Sequence, residues 1–174
     1  MLPYSPVHEL LSQDLGRPLV ATSANLSGEP VLTEATDVEQ RLGHVADAML
    51  HHNRPILRPA DDSALRVIAG QARPVRLGRG LAPRELELHP PSPRPMLAVG
   101  GHLKNTVALA WANRVVISPH IGDLDSPRAL TVLRRTITDL TELYRIYPTV
   151  ILHDAHPQYG STHVAKSLAE SRQA

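Results

Sequence analysis

The chain has no cysteine and no phenylalanine, and Trp111 is its only tryptophan. Without cysteine there is no disulfide, no thiolate nucleophile and no cysteine zinc site. That absence is compatible with a cytoplasmic protein. Without phenylalanine the core has to be aliphatic, built from Leu, Val, Ile and Ala. Lysine is scarce too: Lys104 and Lys166 are the only two, so nearly every cation is an arginine. Arginine presents a planar fork suited to bidentate contact with phosphate or carboxylate. No run of about 18 apolar residues exists, so no membrane-spanning helix is expected. The opening residues, Met1 to Pro6, lack a basic region followed by an apolar one and do not read as a signal peptide.

What is present points to a folded protein. Apolar residues make up 42% of the 174, enough for a core and too few for a membrane protein. The length allows one domain or two small ones. A net charge of +1 argues against wholesale nucleic-acid binding. Between Arg54 and Arg84, however, seven arginines face only two acids, Asp61 and Asp62.

Residues 81–95 hold five of the 16 prolines and read as an extended linker. It divides the chain into residues 1–80 and 96–174. In the first part, Ser5 and Pro6 open a helix that Gly16 stops. A strand is expected at 18–22 and a loop at 23–30. Thr36 and Glu39 read as a capping box for a helix ending at Leu42. Another strand is expected at 48–52, and two alternating runs meet in a hairpin at Gly70-Gln71. After the linker, strands at 96–99, 107–111 and 115–118 form a meander turning at Ala112-Asn113. Ser126-Pro127 starts a helix whose Leu130, Leu133, Ile137, Leu140 and Leu143 keep a helical rhythm. A strand at 150–152 and a helix from Ser161 complete a mixed α/β (α+β) layer.

The hinge Gly100-Gly101-His102-Leu103-Lys104-Asn105-Thr106 lies between two apolar runs. Glycine turns let main-chain N–H groups approach an anion, and Lys104, Asn105 and Thr106 add charge and hydrogen bonds. Its spacing is neither that of a P-loop nor that of a dinucleotide fingerprint. The hinge therefore reads as a strand–loop–strand anion cradle. In the loop Thr22-Ser23-Ala24-Asn25-Leu26-Ser27-Gly28, hydroxyls and an amide can hold phosphate, carboxylate or ribose; they can equally satisfy their own turn. Arg76 and Arg79 can reach an anion in a cleft or simply protect an edge strand. Asp123 and Asp125 can orient water or a metal, or cap the next helix. Adjacency to Ser126 favours the cap for Asp125 and leaves Asp123 as the functional candidate. Asp154 and His156 follow a strand and line a cleft; without a third ligand they do not read as a metal site. His51 and His52, adjacent on a strand, cannot chelate together.

Taken in order, these segments resemble the HypF family of hydrogenase maturation carbamoyltransferases. The Thr22–Gly28 loop is similar to the nucleotide signature of YrdC-type domains. Arg58-Pro59-x-Asp61-Asp62-Ser63 and Arg79-Gly80-x-Ala82-Pro83 resemble the end of that domain. The Gly100–Thr106 hinge, His120-Ile121-Gly122-Asp123-Leu124 and Asp154-x-His156-Pro157-x-Tyr159-x-Ser161-Thr162 resemble the start of the family's last domain. That domain is similar to threonylcarbamoyl transferases and has an actin/sugar-kinase-like fold. The resemblance implies ATP, with magnesium, and carbamoyl phosphate as substrates. Carbamoyl-adenylate forms, and its carbamoyl group passes to the C-terminal cysteine of the partner HypE, on the way to the cyanide ligand of [NiFe]-hydrogenase. The missing cysteine fits, because the acceptor thiol belongs to the partner. The resemblance places nucleotide or carbamate at Ser23, Asn25 and Arg79. It places phosphate at Gly100, Gly101, Lys104, Asn105 and Thr106, with Lys104 favouring an adenylate phosphate.

The family's acylphosphatase-like, zinc-finger and His-rich metal segments are not found in this sequence, so zinc or iron is expected only outside it. The chain is expected to be an internal segment, inactive alone. Two alternatives carry different consequences. A stand-alone YrdC-type threonylcarbamoyl-adenylate or RNA-binding protein would lack the Gly100–Thr106 half and show a continuous basic groove. A non-catalytic interaction module would pair through exposed strand edges.

Overall fold

The computed structural model describes residue 3 and residues 5–171. Met1, Leu2 and Tyr4, on which part of the signal-peptide reading falls, lie outside the described residues, as do 172–174.

Local rules place the first helix. In α1 (Pro6–Leu15) the Ser5 hydroxyl accepts from the His8 N–H at 3.3 Å, and Gly16 closes the helix at φ 61°. The second helix, α2 (Ala35–Leu42), forms without the expected capping box. Glu34 takes the cap position, so Thr36 falls inside the first turn. Glu39 pairs with His51 at 3.1 Å instead of reaching back. The strands expected at 18–22 and 48–52 do not form. Val20 is wholly exposed and Leu50 is 73% exposed, so neither segment has a surface to pair or pack against. β1 (Ala64–Ile68) and β2 (Gln71–Arg76) form the antiparallel hairpin. Its turn centres on Ala69-Gly70, both at positive φ, one residue earlier than expected.

The larger sheet holds β3 (Arg84–Ala98), β4 (Ala108–Ile117) and β5 (Val150–Leu152), in the order β4-β3-β5. β3 is antiparallel to β4 and parallel to β5. The stretch read as a linker is thus extended but not free: most of it belongs to the central strand. The prolines permit this by position. Pairing is continuous from Arg84 to Glu87, touches at Ser92, and resumes from Met96 to Ala98. Pro90, Pro91, Pro93 and Pro95 occupy the gaps, where a missing N–H costs nothing. The three-strand meander is corrected in the same place. Ala112 has φ 45° and faces the register break at Ser92. Ala112-Asn113 is a kink within one strand, not a turn between two.

In α3 (Pro127–Tyr144) the Ser126 hydroxyl accepts from the Ala129 N–H at 3.1 Å. Leu133, Ile137 and Leu140 pack into the core beneath the sheet, Leu130 packs at its edge and Leu143 is exposed. With α4 (Gly160–Glu170) these elements enclose Leu97, Val99, Val107, Val116 and Val164.

Candidate functional site

β3 and β5 run parallel and end side by side, with Ala98 opposite Leu152. The chain leaves β3 into the Gly100–Thr106 hinge and leaves β5 into His153 and Asp154. Ligands of open sheets collect beyond the carboxyl ends of such strands. Gly100 has φ 74°, and a Cβ there would collide with the Thr106 carbonyl and sit 2.8 Å from the Asn105 amide nitrogen. A Cβ on Gly101 would lie 3.7 Å from the Asp154 carboxylate, so Asp154 does face the hinge.

Lys104 sits at φ 52° and presents an exposed ammonium. Its main-chain N–H donates to Asp123 at 2.8 Å, and its Nζ lies 3.4 Å from both carboxylate oxygens. The backbone N–H, then the ammonium, hold the Asp123 carboxyl below its ordinary pKa. Thr106, half-buried, lines a cleft with Arg76, Lys104, Ile117 and His120. Burial holds the His120 imidazole below its ordinary pKa; Asp61 opposes this, while Arg76 and Lys104 reinforce it.

Asn105 corrects its expected role. Only 1% exposed, it donates from its side-chain amide to Val99 O at 2.9 Å and Gly101 O at 2.6 Å. Both amide hydrogens are used inside the protein. Asn105 therefore braces the glycine turn rather than holding an external anion. Asp125 is corrected as well. Ser126 is the cap, and Asp125 accepts from His102 Nε2 at 2.8 Å. His102 Nδ1 accepts from the Gly160 N–H at 3.3 Å, which leaves the ring proton on Nε2. Tyr159 stacks on His102 at 5.0 Å and on His156 at 4.1 Å. His156 thus reaches the hinge through a pile of rings rather than directly.

In the first part of the chain, Asn25 takes the self-bonding role. Its amide donates to Leu26 O at 2.9 Å and Glu29 O at 3.0 Å. Leu32 N–H closes the base of the loop on Ala24 O at 2.9 Å. Ser23 is exposed. Arg79 pairs with Asp62 at 3.0 Å, and its carbonyl accepts from Ser63.

Comparison with known proteins decides the family. Residues 91–174 match the family model described as the HypF Kae1-like domain, and residues 1–78 match the Sua5/YciO/YrdC model described as Telomere recombination. The chain belongs to the HypF family. Carbamoyltransferase HypF of Synechocystis sp. is 42% identical over 97% of this chain, which spans 22% of that relative. Carbamoyltransferase HypF of Rhizobium leguminosarum bv. viciae is 37% identical over 97% of the chain, which spans 23% of it. Among solved structures, a full-length HypF in the phosphate- and nucleotide-bound form superposes with a TM-score of 0.86 at 40% identity. The match covers 96% of this chain and 26% of that one. The HypF of T. kodakarensis superposes with a TM-score of 0.80 at 33% identity, over 88% of this chain and 20% of its own. The chain thus spans about a quarter or less of the HypF proteins it matches.

Three residues make contacts that their sequence neighbourhoods do not announce. His102 and Tyr159 carry no local signal of a stack, because 57 positions separate them. Arg128 looks like any solvated helix arginine and instead crosses to the first half of the molecule. Among the described residues, no three His, Asp or Glu side chains converge to hold a metal ion.

Proposed function

We propose that this chain carries the nucleotide-handling loop and the phosphate-binding hinge of a HypF-type carbamoyltransferase. In this reading residues 1–80 are the end of a YrdC-type domain. Residues 96–174 begin a threonylcarbamoyl-transferase-like domain, joined to the first through 81–95. In the whole protein, water cleaves carbamoyl phosphate to carbamate and phosphate. A carbamate oxygen then attacks the α-phosphorus of ATP, which enters with its magnesium, so that carbamoyl-adenylate forms and pyrophosphate leaves. The cysteine thiolate of HypE then attacks the carbamoyl carbon. A C–S bond forms, the C–O bond to the adenylate breaks, and AMP leaves with the electron pair.

The observation that carries the reading is Lys104. Its exposed ammonium stands beside the Gly100-Gly101 turn at the carboxyl end of β3, with Asp154 across the gap. Charge developing on the departing phosphate gains most from a cation already fixed in place. Asp123 fixes Lys104 and gives it up to a phosphate. Gly101 and Thr106 supply the wall, Ser23 a contact on the first loop, Arg79 a contact after β2, and Asp154 and His156 the rim. No helix among the described residues is long and apolar enough to cross a membrane, and the reading places the protein in the cytoplasm with its substrates.

A non-hydrolysable ATP analogue, titrated into the labelled chain and followed by NMR, tests the proposal. Shifts are expected at Ser23 and across Gly100–Thr106, and Lys104→Ala weakens the second set. Silence at both segments overturns it and leaves the interaction-module alternative.

A further inference from the structure

Arg128 belongs to α3, yet its guanidinium rests on the other half of the molecule. Nη1 lies 3.2 Å from Asp37 Oδ2 on α2, and Nη2 donates to the Val31 carbonyl at 3.1 Å. Val31 follows the Ser23–Pro30 loop directly. Its neighbour Leu32 is 3% exposed and closes the base of that loop on Ala24. Inside the loop, Glu29 pairs with Arg41 of α2 at 2.8 Å. Arg128 therefore grips both the helix and the segment that together shape the loop. A guanidinium suits this place, because its rigid fork reaches a carboxylate and a carbonyl at once.

The other end of Arg128 is tied to the hinge. Asn105 N–H donates to Gly122 O at 2.8 Å, Ile121 N–H to Asn105 O at 2.8 Å, and Leu124 N–H to His102 O at 3.0 Å. Asp123 and Asp125 hold Lys104 and His102 from the same segment. Three residues later comes Arg128. Hydrogen bonds thus tie the hinge to 121–125, the chain itself continues into Arg128, and Arg128 bonds Asp37 and Val31 next to the Ser23 loop. The halves are also joined elsewhere, by Arg58–Asp139 at 2.7 Å and by His120 N–H on Leu77 O at 2.6 Å. Losing Arg128 leaves them docked.

We infer that Arg128 is a positioning residue: from the hinge-bearing half it holds the Ser23 loop of the other half in its ligand-ready shape. The clamp stands on geometry alone; its consequence for nucleotide rests on the function proposed above. Hydrogen exchange and analogue titration on the 174-residue chain separate the two. In Arg128→Met, the Leu32 amide is expected to exchange about tenfold faster, the size of effect that loss of a charged hydrogen bond produces. Val116 and Leu133 keep their protection. Arg128→Lys recovers part of the effect, since an ammonium keeps one contact of the two, and Asp37→Asn shows a smaller increase at Leu32. Analogue affinity read at Ser23 and Asn25 falls, while affinity read at Gly101 and Lys104 holds. Unchanged Leu32 exchange with Val116 protected overturns the clamp. So does protection lost at Leu32 and Val116 together, or equal weakening at both loops. If the unaltered chain binds no analogue, the proposed function fails, and the exchange data alone uphold or overturn the clamp.

Discussion

Between Leu97 and Ala165 the chain buries a continuous aliphatic core, whereas before the Pro-rich strand Leu32 is the one buried apolar residue among those described. The contrast is not one of composition. Leu10, Leu19, Val20, Leu57, Leu65 and Val67 supply apolar side chains in quantity, yet all are exposed. The difference lies in layering. The later half sets α3 and α4 against a three-stranded sheet, so each apolar face meets another. The earlier half offers two helices with no buried residue and a two-stranded hairpin with no buried position. Its shape rests on hydrogen bonds, arginine pairs and docking onto its neighbour. Exposed ion pairs of this kind each contribute about 1 kcal/mol or less. The lesson concerns the loops. The hinge grows from a rigid core, and the Ser23 loop depends on what holds it from outside.

The sharpest way to break this comparison is to delete equal volume from each half. Leu133→Ala is expected to cost about 2–5 kcal/mol, because the site is fully enclosed. Leu57→Ala, 67% exposed, should stay within about 0.5 kcal/mol. Urea midpoints compare them, and equal shifts would erase the contrast. A smaller effect separates two glycines. Gly28 has φ 80° with open space around it, so Ala there costs only the left-handed backbone, about 1–2 kcal/mol. At Gly100 the collision with Thr106 adds to a similar backbone cost, for a total of about 3 kcal/mol or more. Equal thermal shifts for the two would show that the hinge is as loose as the loop.

The smallest expected effect is a pH slope at the seam between the halves. His120 titrates below its ordinary value when folded, chiefly because it is buried. The unfolded chain therefore takes up the proton first as pH falls. Stability from the neutral ring is complete above about pH 6.5 and declines as pH drops through the lower folded value. His120→Gln should flatten that decline. An unchanged slope in urea titrations would place its origin elsewhere. Asp123 acts in a separate window. Its folded carboxyl titrates low because Lys104 holds it, so its contribution is present above about pH 4 and fades below.

Much of the fold was legible. Ser5-Pro6 and Ser126-Pro127 announced α1 and α3, because capping is decided within four residues. The apolar rhythm of Leu133, Ile137 and Leu140 named the buried face of α3 for the same reason. The site was legible in outline only. The hinge and Asp154 stand out in the sequence as glycines and polar groups at strand ends, and the fold brings the two face to face. The central role of β3 was hidden, because proline content reads as a tether unless the ladder gaps opposite it are known. Asn105 looked like a ligand residue, and only its burial reveals that its amide is already spent.

By itself, then, the amino-acid order determined the capped helices α1 and α3, the β1–β2 hairpin, the aliphatic character of the core and the family signatures. Each of these is written in neighbouring residues. Tertiary structure alone decided which polar groups face outward and which are consumed within. Arg128 meets Asp37 and Val31 across 91 and 97 positions, and His102 meets Asp125 across 23. No periodicity reports such distances, because a hydrogen bond depends on where two groups arrive in space. Lys104 remains exposed at the hinge while Asn105 does not, and packing around the Gly100 turn makes that difference.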